Sequence, residues 1–235
     1  MQLTVREVGT FLNAPEATVL RWIKQRGLPA HQVGGQYRFN RAELLEWATA
    51  QKIKVSLELF DQMTSDAEPV PHLSEALQAG GIHYRLAGAN KDDVLRALVD
   101  VLPLPEETDR KMLLRLFQAR EAAASTGIGD GIALPHVRNP IVLNVTRPSI
   151  TLCFLEKPVD FGALDCQPVG VLFSLVSPTT RCHLQLLARL SFALHDAQFK
   201  EIVKGQGTAE EILRHARRVE AAVPAPAVEA GKAAR

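Results

Sequence analysis

Apolar residues along the first fifty positions fall at helical intervals. Val5, Val8, Phe11 and Leu12 form one set, and Val19, Leu20 and Ile23 form a second that can face inward. Thr4 with Glu7 three residues later is a capping-box pattern that starts the first helix. Asn13-Ala14-Pro15 makes a turn, with Pro15 suited to a first helical position, and Gly27 ends the second helix as a left-handed cap. Two short helices joined by a tight turn predict a helix-turn-helix unit. Beyond it, Gly34-Gly35 between HQV and QYRF reads as a small hairpin, a wing, and Asn40 caps a third helix bearing Leu44, Leu45 and Trp47. Glu16, Thr18, Arg21, Lys24 and Gln25 reach outward on the second helix, while Gln36, Tyr37 and Arg38 sit at the wing tip. Such a surface suits phosphate contacts and a few base-edge contacts.

The pattern then changes twice. Residues 51–63 read as a connector, and TSDAEPVPH is polar with two prolines, a linker. After it HLSEALQAG and KDDVLRALVDVL read as helices around an extended IHYRL, and EETDRKMLLRLFQARE as a long amphipathic helix after Pro105. SITLCFL and VGVLFSLV are apolar and β-rich, hence buried strands. TRCHLQLLARLSFAL, FKEIVKG and TAEEILRHARRV close the domain as helices. The predicted fold class is an α/β (α+β) mixed-sheet domain flanked by helices, preceded by the small winged helix-turn-helix domain. Its divisions are 1–52 for the winged domain, 53–72 for the linker, 73–218 for the α/β domain and 219–235 for an Ala/Pro-rich, disordered tail.

Composition adds little except in the distribution of charge. Hydrophobic residues at 46% and charged residues at 23% describe an ordinary globular chain, and no apolar run reaches the roughly 20 residues of a membrane span. The start lacks a signal-peptide pattern, so the expected location is the cytoplasm. Residues 1–54 hold eight Lys and Arg against four acids, a net of +4, and the remainder holds 19 against 22, a net of −3. The two ends therefore meet different partners. Cys153, Cys166 and Cys182 show neither disulfide nor zinc-ribbon spacing. A zinc site built from Cys166, Cys182, His183 and His136 fits no ligand signature, so neither metal nor cofactor is expected.

The stretch STGIGDGIALPH, residues 125–136, carries the chemistry. It is no Walker A loop, because no G-K-[ST] follows, and no dinucleotide fingerprint, because its glycines precede an apolar strand rather than open a helix. A strand entering His136 through the rigid Pro135 is the better reading. Ser125, Thr126, Gly127, Gly129 and Gly131 would offer hydroxyls and backbone N–H groups to an anion beside it. Neutral imidazole is a nucleophile near pH 7 and can take a phosphoryl group.

Residues 73–218, with REAAASTGIGDGIALPH, resemble the enzyme IIA domain of the fructose-mannitol type of the phosphoenolpyruvate:sugar phosphotransferase system, especially its nitrogen-regulatory branch. The resemblance implies that His136 is phosphorylated by the histidine phosphocarrier protein, that Arg120 lies near the site, and that His183, in CHLQLLARL, orients or stabilises the phosphoryl group. Two departures stand out. SPTTRC before His183 lacks the acidic residues expected there, and Asp130 occupies a loop position where a small amide is common. Residues 3–50, with RWIKQRGLPAHQVGGQYRF, resemble the excisionase-type, MerR-like winged helix. That implies DNA contacts by Thr18, Arg21, Lys24, Arg26, Gln36, Tyr37 and Arg38. The other histidines, His31, His72, His83, His195 and His215, have no context beyond loops and helix faces.

Together these imply a regulatory phosphocarrier that couples His136 phosphorylation to DNA binding, with a regulatory protein target and a homodimer as further partners. The alternatives are an enzyme IIA component serving a separate sugar permease, and an unphosphorylated protein-binding adaptor.

Overall fold

A computed structural model of the chain describes residues 2–55, 72–137 and 145–222. The first part holds β1 (Gln2–Leu3), α1 (Val5–Phe11), α2 (Glu16–Gln25), β2 (His31–Val33), β3 (Gln36–Asn40) and α3 (Arg41–Ala50). The Thr4–Glu7 capping box is closed in both directions, with Thr4 N donating to Glu7 Oε2 at 2.7 Å and Glu7 N to Thr4 Oγ1 at 3.3 Å. Pro15 stands at the cap of α2, one residue earlier than its expected place, because Asn13 makes the turn in the left-handed region. Gly34 and Gly35, at φ +58° and +77°, give the β2–β3 hairpin the two left-handed residues that a tight, twist-compatible turn requires. The short β1 pairs with the other edge of β3, a strand too brief for the hydrophobic pattern to announce.

Val8, Phe11, Leu12, Val19, Phe39, Leu44 and Leu45 form the core of this part. Trp47 packs on Trp22 with ring centroids 5.6 Å apart and donates its indole N–H to Arg26 O. Leu20, expected inside, is exposed: the apolar stripe of α2 is narrow and Val19 with Ile23 fills it.

The second part contains α4 (Leu73–Gly80), β4 (Ile82–Leu86), α5 (Lys91–Val101), α6 (Arg110–Ala123), β5 (Gly127–Gly129), β6 (Ile132–Ala133), β7 (Ser149–Val159), β8 (Val169–Val176), α7 (Thr180–His195), α8 (Ala197–Lys204) and α9 (Ala209–Ala221). Its five strands lie in the order β4-β7-β8-β6-β5. β4 and β6 run parallel to β7 and β8 respectively, while β7–β8 and β5–β6 are antiparallel, so the sheet is mixed. Alternate residues of β7 enter two cores: Ile150, Leu152 and Phe154 on one face, Cys153, Leu155 and Val159 on the other. Burial of both faces is why β7 and β8 read as unbroken apolar runs. α5 and α6 cover the second face through Val94, Leu95, Leu98, Leu113 and Phe117. The first face is continuous with the core of the winged part, so Trp47 and Ala48 belong to one apolar cluster with Leu186 and Leu187 of α7.

Three boundaries differ from expectation. α6 begins at Arg110 rather than just after Pro105, because the Asp109 carboxylate accepts from Lys111 N and Met112 N, both at 3.0 Å, and caps it there. Val55 is buried and Ile53 packs on the core, so the chain stays docked past residue 52; the rest of the expected linker, 56–71, lies outside the described residues. α9 continues to Ala221, past the expected end at 218. Its Glu220 accepts from Leu73 N, Ser74 N and Ser74 Oγ, capping α4 from the far end of the domain. The tail from 223 lies outside the described residues. No helix among the described residues is long and apolar enough to cross a membrane.

Candidate phosphoacceptor site

β6 runs beside β8, and the chain keeps that register beyond the strand, so that His136 pairs in parallel with Leu175. The ring is buried, 2% exposed. Nδ1 lies 2.7 Å from Leu134 O, an acceptor only, so Nδ1 carries a proton and Nε2 is the nitrogen available for chemistry. Main-chain geometry thus sets both the orientation and the tautomer of His136.

Arg120 reaches the same place from the last turn of α6. It is buried, and one guanidinium nitrogen donates to Ala124 O at 2.8 Å, closing its own helix end. His183 arrives from the first turn of α7, where Thr179 Oγ1 caps the helix by accepting from Cys182 N. Its ring centroid is 4.9 Å from that of His136, and its Nδ1 is buried without a partner. Burial first, then the neighbouring His136, pushes the His183 imidazole down to about 3, against an opposing pull from Glu46. The ring is therefore neutral near pH 7.

That shift has a sign for stability. Between the ordinary value of 6.5 and about 3, the unfolded chain takes up a proton that the folded chain refuses, so stability falls as the pH drops through this window. The slope contributed is at most about 1.4 kcal/mol per pH unit. Urea denaturation at pH 7.0 and 4.5 should show a smaller acid loss for His183→Gln than for the wild type; equal losses would contradict the assignment.

The glycine segment forms the wall beside these groups. Gly129, Asp130 and Gly131 all have positive φ, making the turn between β5 and β6. A Cβ on Gly127 would lie 2.8 Å from Ala163 Cβ, and one on Gly129 2.9 Å from Asp165 Oδ2, so the 161–168 loop packs directly on the hairpin. Three of the five expected anion donors, Ser125, Thr126 and Gly127, are otherwise employed. Thr126 N and Oγ1 both donate to Glu121, Ser125 Oγ donates to Phe161 O at 2.7 Å, and Gly127 N donates to Ser125 Oγ at 3.0 Å. The buried Glu121 carboxylate needs the two Thr126 donors, together with Lys91, to offset its desolvation. In this arrangement Ser125 and Thr126 hold the loop's shape rather than point donors at His136. Asp130 pairs with Lys52 Nζ at 2.8 Å and Lys200 Nζ at 3.0 Å, and the Lys52 contact leads in holding its carboxyl below the usual carboxylate range.

One participant carried no sequence motif. Glu46 of α3 lies between the two key groups, Oε1 3.0 Å from His136 Nε2 and Oε2 bonded to an Arg120 guanidinium nitrogen. The sequence carried no signal for it: Glu46 lies on the side of α3 that Glu43 and Ala50 share, opposite the buried Leu44 and Ala48, as a solvent-facing glutamate would. On the winged part, Arg21, Lys24, Arg26 and Gln36 are exposed, while Thr18, Tyr37 and Arg38 are half-buried. Arg38 is held over the wing by Gln36 Oε1 at 2.7 Å and Tyr37 O at 3.2 Å.

Comparison with known proteins agrees with this architecture. Residues 75–218 match the family described as "Phosphoenolpyruvate-dependent sugar phosphotransferase system, EIIA 2", and residues 3–52 match a helix-turn-helix domain family. A nitrogen regulatory protein of Pseudomonas aeruginosa is 34% identical over 144 residues, covering 60% of this chain and 91% of the relative. One from Escherichia coli is 36% identical over 142 residues, covering 60% and 86%. The crystal structure of the nitrogen regulatory protein IIA-Ntr from Neisseria meningitidis superposes with a TM-score of 0.50 at 24% identity, covering 63% of this chain and 96% of that one, which shows a shared fold. With its mixed five-stranded sheet and most of its length matched, this chain belongs to the EIIA 2 family of the phosphoenolpyruvate-dependent sugar phosphotransferase system, and it carries a helix-turn-helix domain at its N-terminal end.

Proposed function

We propose that the chain is a regulatory phosphocarrier of the nitrogen-regulatory kind, accepting a phosphoryl group on His136 Nε2 from the histidine phosphocarrier protein and relaying that state through a DNA-binding winged domain. The observation that supports it most is the convergence of His136, Arg120 and His183 on one buried point, with Nδ1 of His136 committed to Leu134 O. The Nε2 lone pair forms the new N–P bond. The donor's own N–P bond breaks, and its electron pair returns to the donor imidazole. Arg120 balances charge on the phosphoryl oxygens, and the neutral His183 packs against the acceptor ring without adding a competing cation. The exposed Arg21 and Lys24 on α2, Arg26 at its C-terminal cap and Gln36 on the wing support the DNA-binding half of the reading.

The test is transfer of labelled phosphate from phosphoenolpyruvate, through the two general phosphotransferase proteins, to the wild type and to His136→Ala. Acid-labile label on the wild type and none on the variant is the expected result. Label on both would move the acceptor elsewhere. Binding of the phosphorylated and unphosphorylated forms to a random DNA pool then tests the second half, and identical affinities would remove it.

A further inference from the structure

We infer that Glu46 is an internal stand-in for the phosphoryl group, so that docking of the helix-turn-helix domain and phosphorylation of His136 exclude one another. This rests on the reading of His136 as the phosphoryl acceptor.

Three observations carry it. The first is occupancy. The carboxylate of Glu46 presents one oxygen to Nε2 of His136 at 3.0 Å and the other to the Arg120 guanidinium, the two groups an incoming phosphoryl group would need. An N–P bond is much shorter than that contact, so a phosphorus on Nε2 with its three oxygens would fall in the volume the carboxylate fills. Sterics alone forbid both, and charge adds to it, because a phosphoryl group carries close to −2.

The second is protonation. With Nδ1 donating to Leu134 O, a nitrogen and a carboxylate oxygen 3.0 Å apart are joined by a proton shared between Nε2 and Oε1. The lone pair that must attack phosphorus is engaged while Glu46 is in place. As Glu46 withdraws, that proton passes to solvent. Nε2 then forms the bond to phosphorus, and the donor imidazole departs with the electron pair of its broken N–P bond.

The third is that α3 seats through contacts outside the slot. Thr49 Oγ1 donates to Ser191 Oγ of α7 at 2.9 Å, and Lys52 Nζ bonds Asp130 Oδ1 at 2.8 Å. Trp47 and Ala48 join the apolar cluster of the larger domain. The whole of α3 is therefore the plug, with the Glu46 side chain reaching the slot from its middle. The exposed Arg21 and Lys24 of α2 and Arg26 just after it stay at the surface while α3 is seated, so docking sets where the DNA-facing surface is held without covering it.

Undocking must then precede transfer, and the acceptance rate scales with the undocked fraction. Two variants separate the slot from the seat. Glu46→Gln keeps the shape of the plug but removes its charge. Lys52→Glu sets like charge against Asp130 without touching His136, Arg120 or His183. Both should accept label faster than the wild type, by about tenfold or more. Amide hydrogen exchange across residues 44–51 reads docking directly, and should lose protection in the wild type once phosphorylated, but not in His136→Ala put through the same reaction.

Wild type and both variants labelled at equal rates, with protection of residues 44–51 unchanged by phosphorylation, would overturn the plug and leave His136 standing as acceptor. A faster Glu46→Gln beside a Lys52→Glu at the wild-type rate would overturn it in favour of a charge effect confined to the slot. Label on Glu46→Gln with none on the wild type would support it in its strongest form. No label on any of them would overturn the acceptor reading and the plug with it.

Discussion

Replacing Arg120 with Gln should cut the rate of phosphoryl acceptance by about 10²–10³, the usual effect of removing one preorganised charge from a developing anion in a dry site. The side chain is buried, and its guanidinium reaches the position where Glu46 now sits, so its charge acts where little water screens it. The same substitution also strips Glu46 of a partner, which by itself loosens α3 and should raise acceptance. The two effects oppose each other, and the double variant Arg120→Gln with Glu46→Gln separates them. If Arg120 balances the phosphoryl oxygens, the double variant stays as slow as Arg120→Gln. If Arg120 matters only as the seat of Glu46, Arg120→Gln and the double variant both accept label as fast as Glu46→Gln. Arg120→Lys should fall between, because an ammonium keeps the charge but loses the fork that spans Ala124 O and the slot. Melting temperatures of all the variants are needed alongside the rates, since Arg120 also closes the end of α6.

Gly80→Ala should be the most damaging single methyl group in the molecule. Gly80 ends α4 directly on the backbone of β7: an added Cβ would stand 2.1 Å from Ile150 O, 2.2 Å from Ile150 C and 2.6 Å from Thr151 N. None of these is a side chain that can swing aside. Thr151 Oγ1 also donates to Gly80 O at 3.0 Å, so the helix end cannot lift without losing a buried hydrogen bond. Overpacking a core ordinarily costs about 1–3 kcal/mol, and displacement of an interior strand puts this case at the upper end, about 3 kcal/mol. For a chain of this size that corresponds to a Tm lower by about 6–12 °C. Gly170→Ala is the control. Its added Cβ would meet only Pro158 Cγ at 3.9 Å, and its Tm should stay within about 2 °C of the wild type. Similar losses for both would mean that glycines of this domain suffer generally and that the contact of α4 with β7 is not special.

The candidate site was unevenly legible. His136, Arg120 and His183 could be named from the motif and its resemblance, and the fold brings all three together. Ser125 and Thr126 were visible as well, but as anion donors. They hold the loop instead, because the partners that claim them, the Phe161 carbonyl for Ser125 and the buried Glu121 carboxylate for Thr126, come within reach only in the folded state. Asp130 looked like a liability beside a phosphoryl group until the structure supplied Lys52 and Lys200 as its partners. Those lysines stand 78 and 70 residues away along the chain, beyond the reach of any local pattern.

Local rules were sufficient for the elements themselves. The Thr4–Glu7 box, the Gly34-Gly35 hairpin, the Asn40 cap and the two apolar strands each depend on residues within a few positions of one another, and each formed as those residues dictate. The same holds for the tautomer of His136, which is set two residues away by Leu134 O. Tertiary structure alone decided which face of α3 meets the second domain, and therefore that Glu46 comes to lie on His136, 90 residues further along the chain. An exposed glutamate and a plugging one are identical in a one-dimensional pattern. The difference arises when two apolar surfaces merge into one core and carry a charge to the one place where a buried arginine and a histidine nitrogen can receive it.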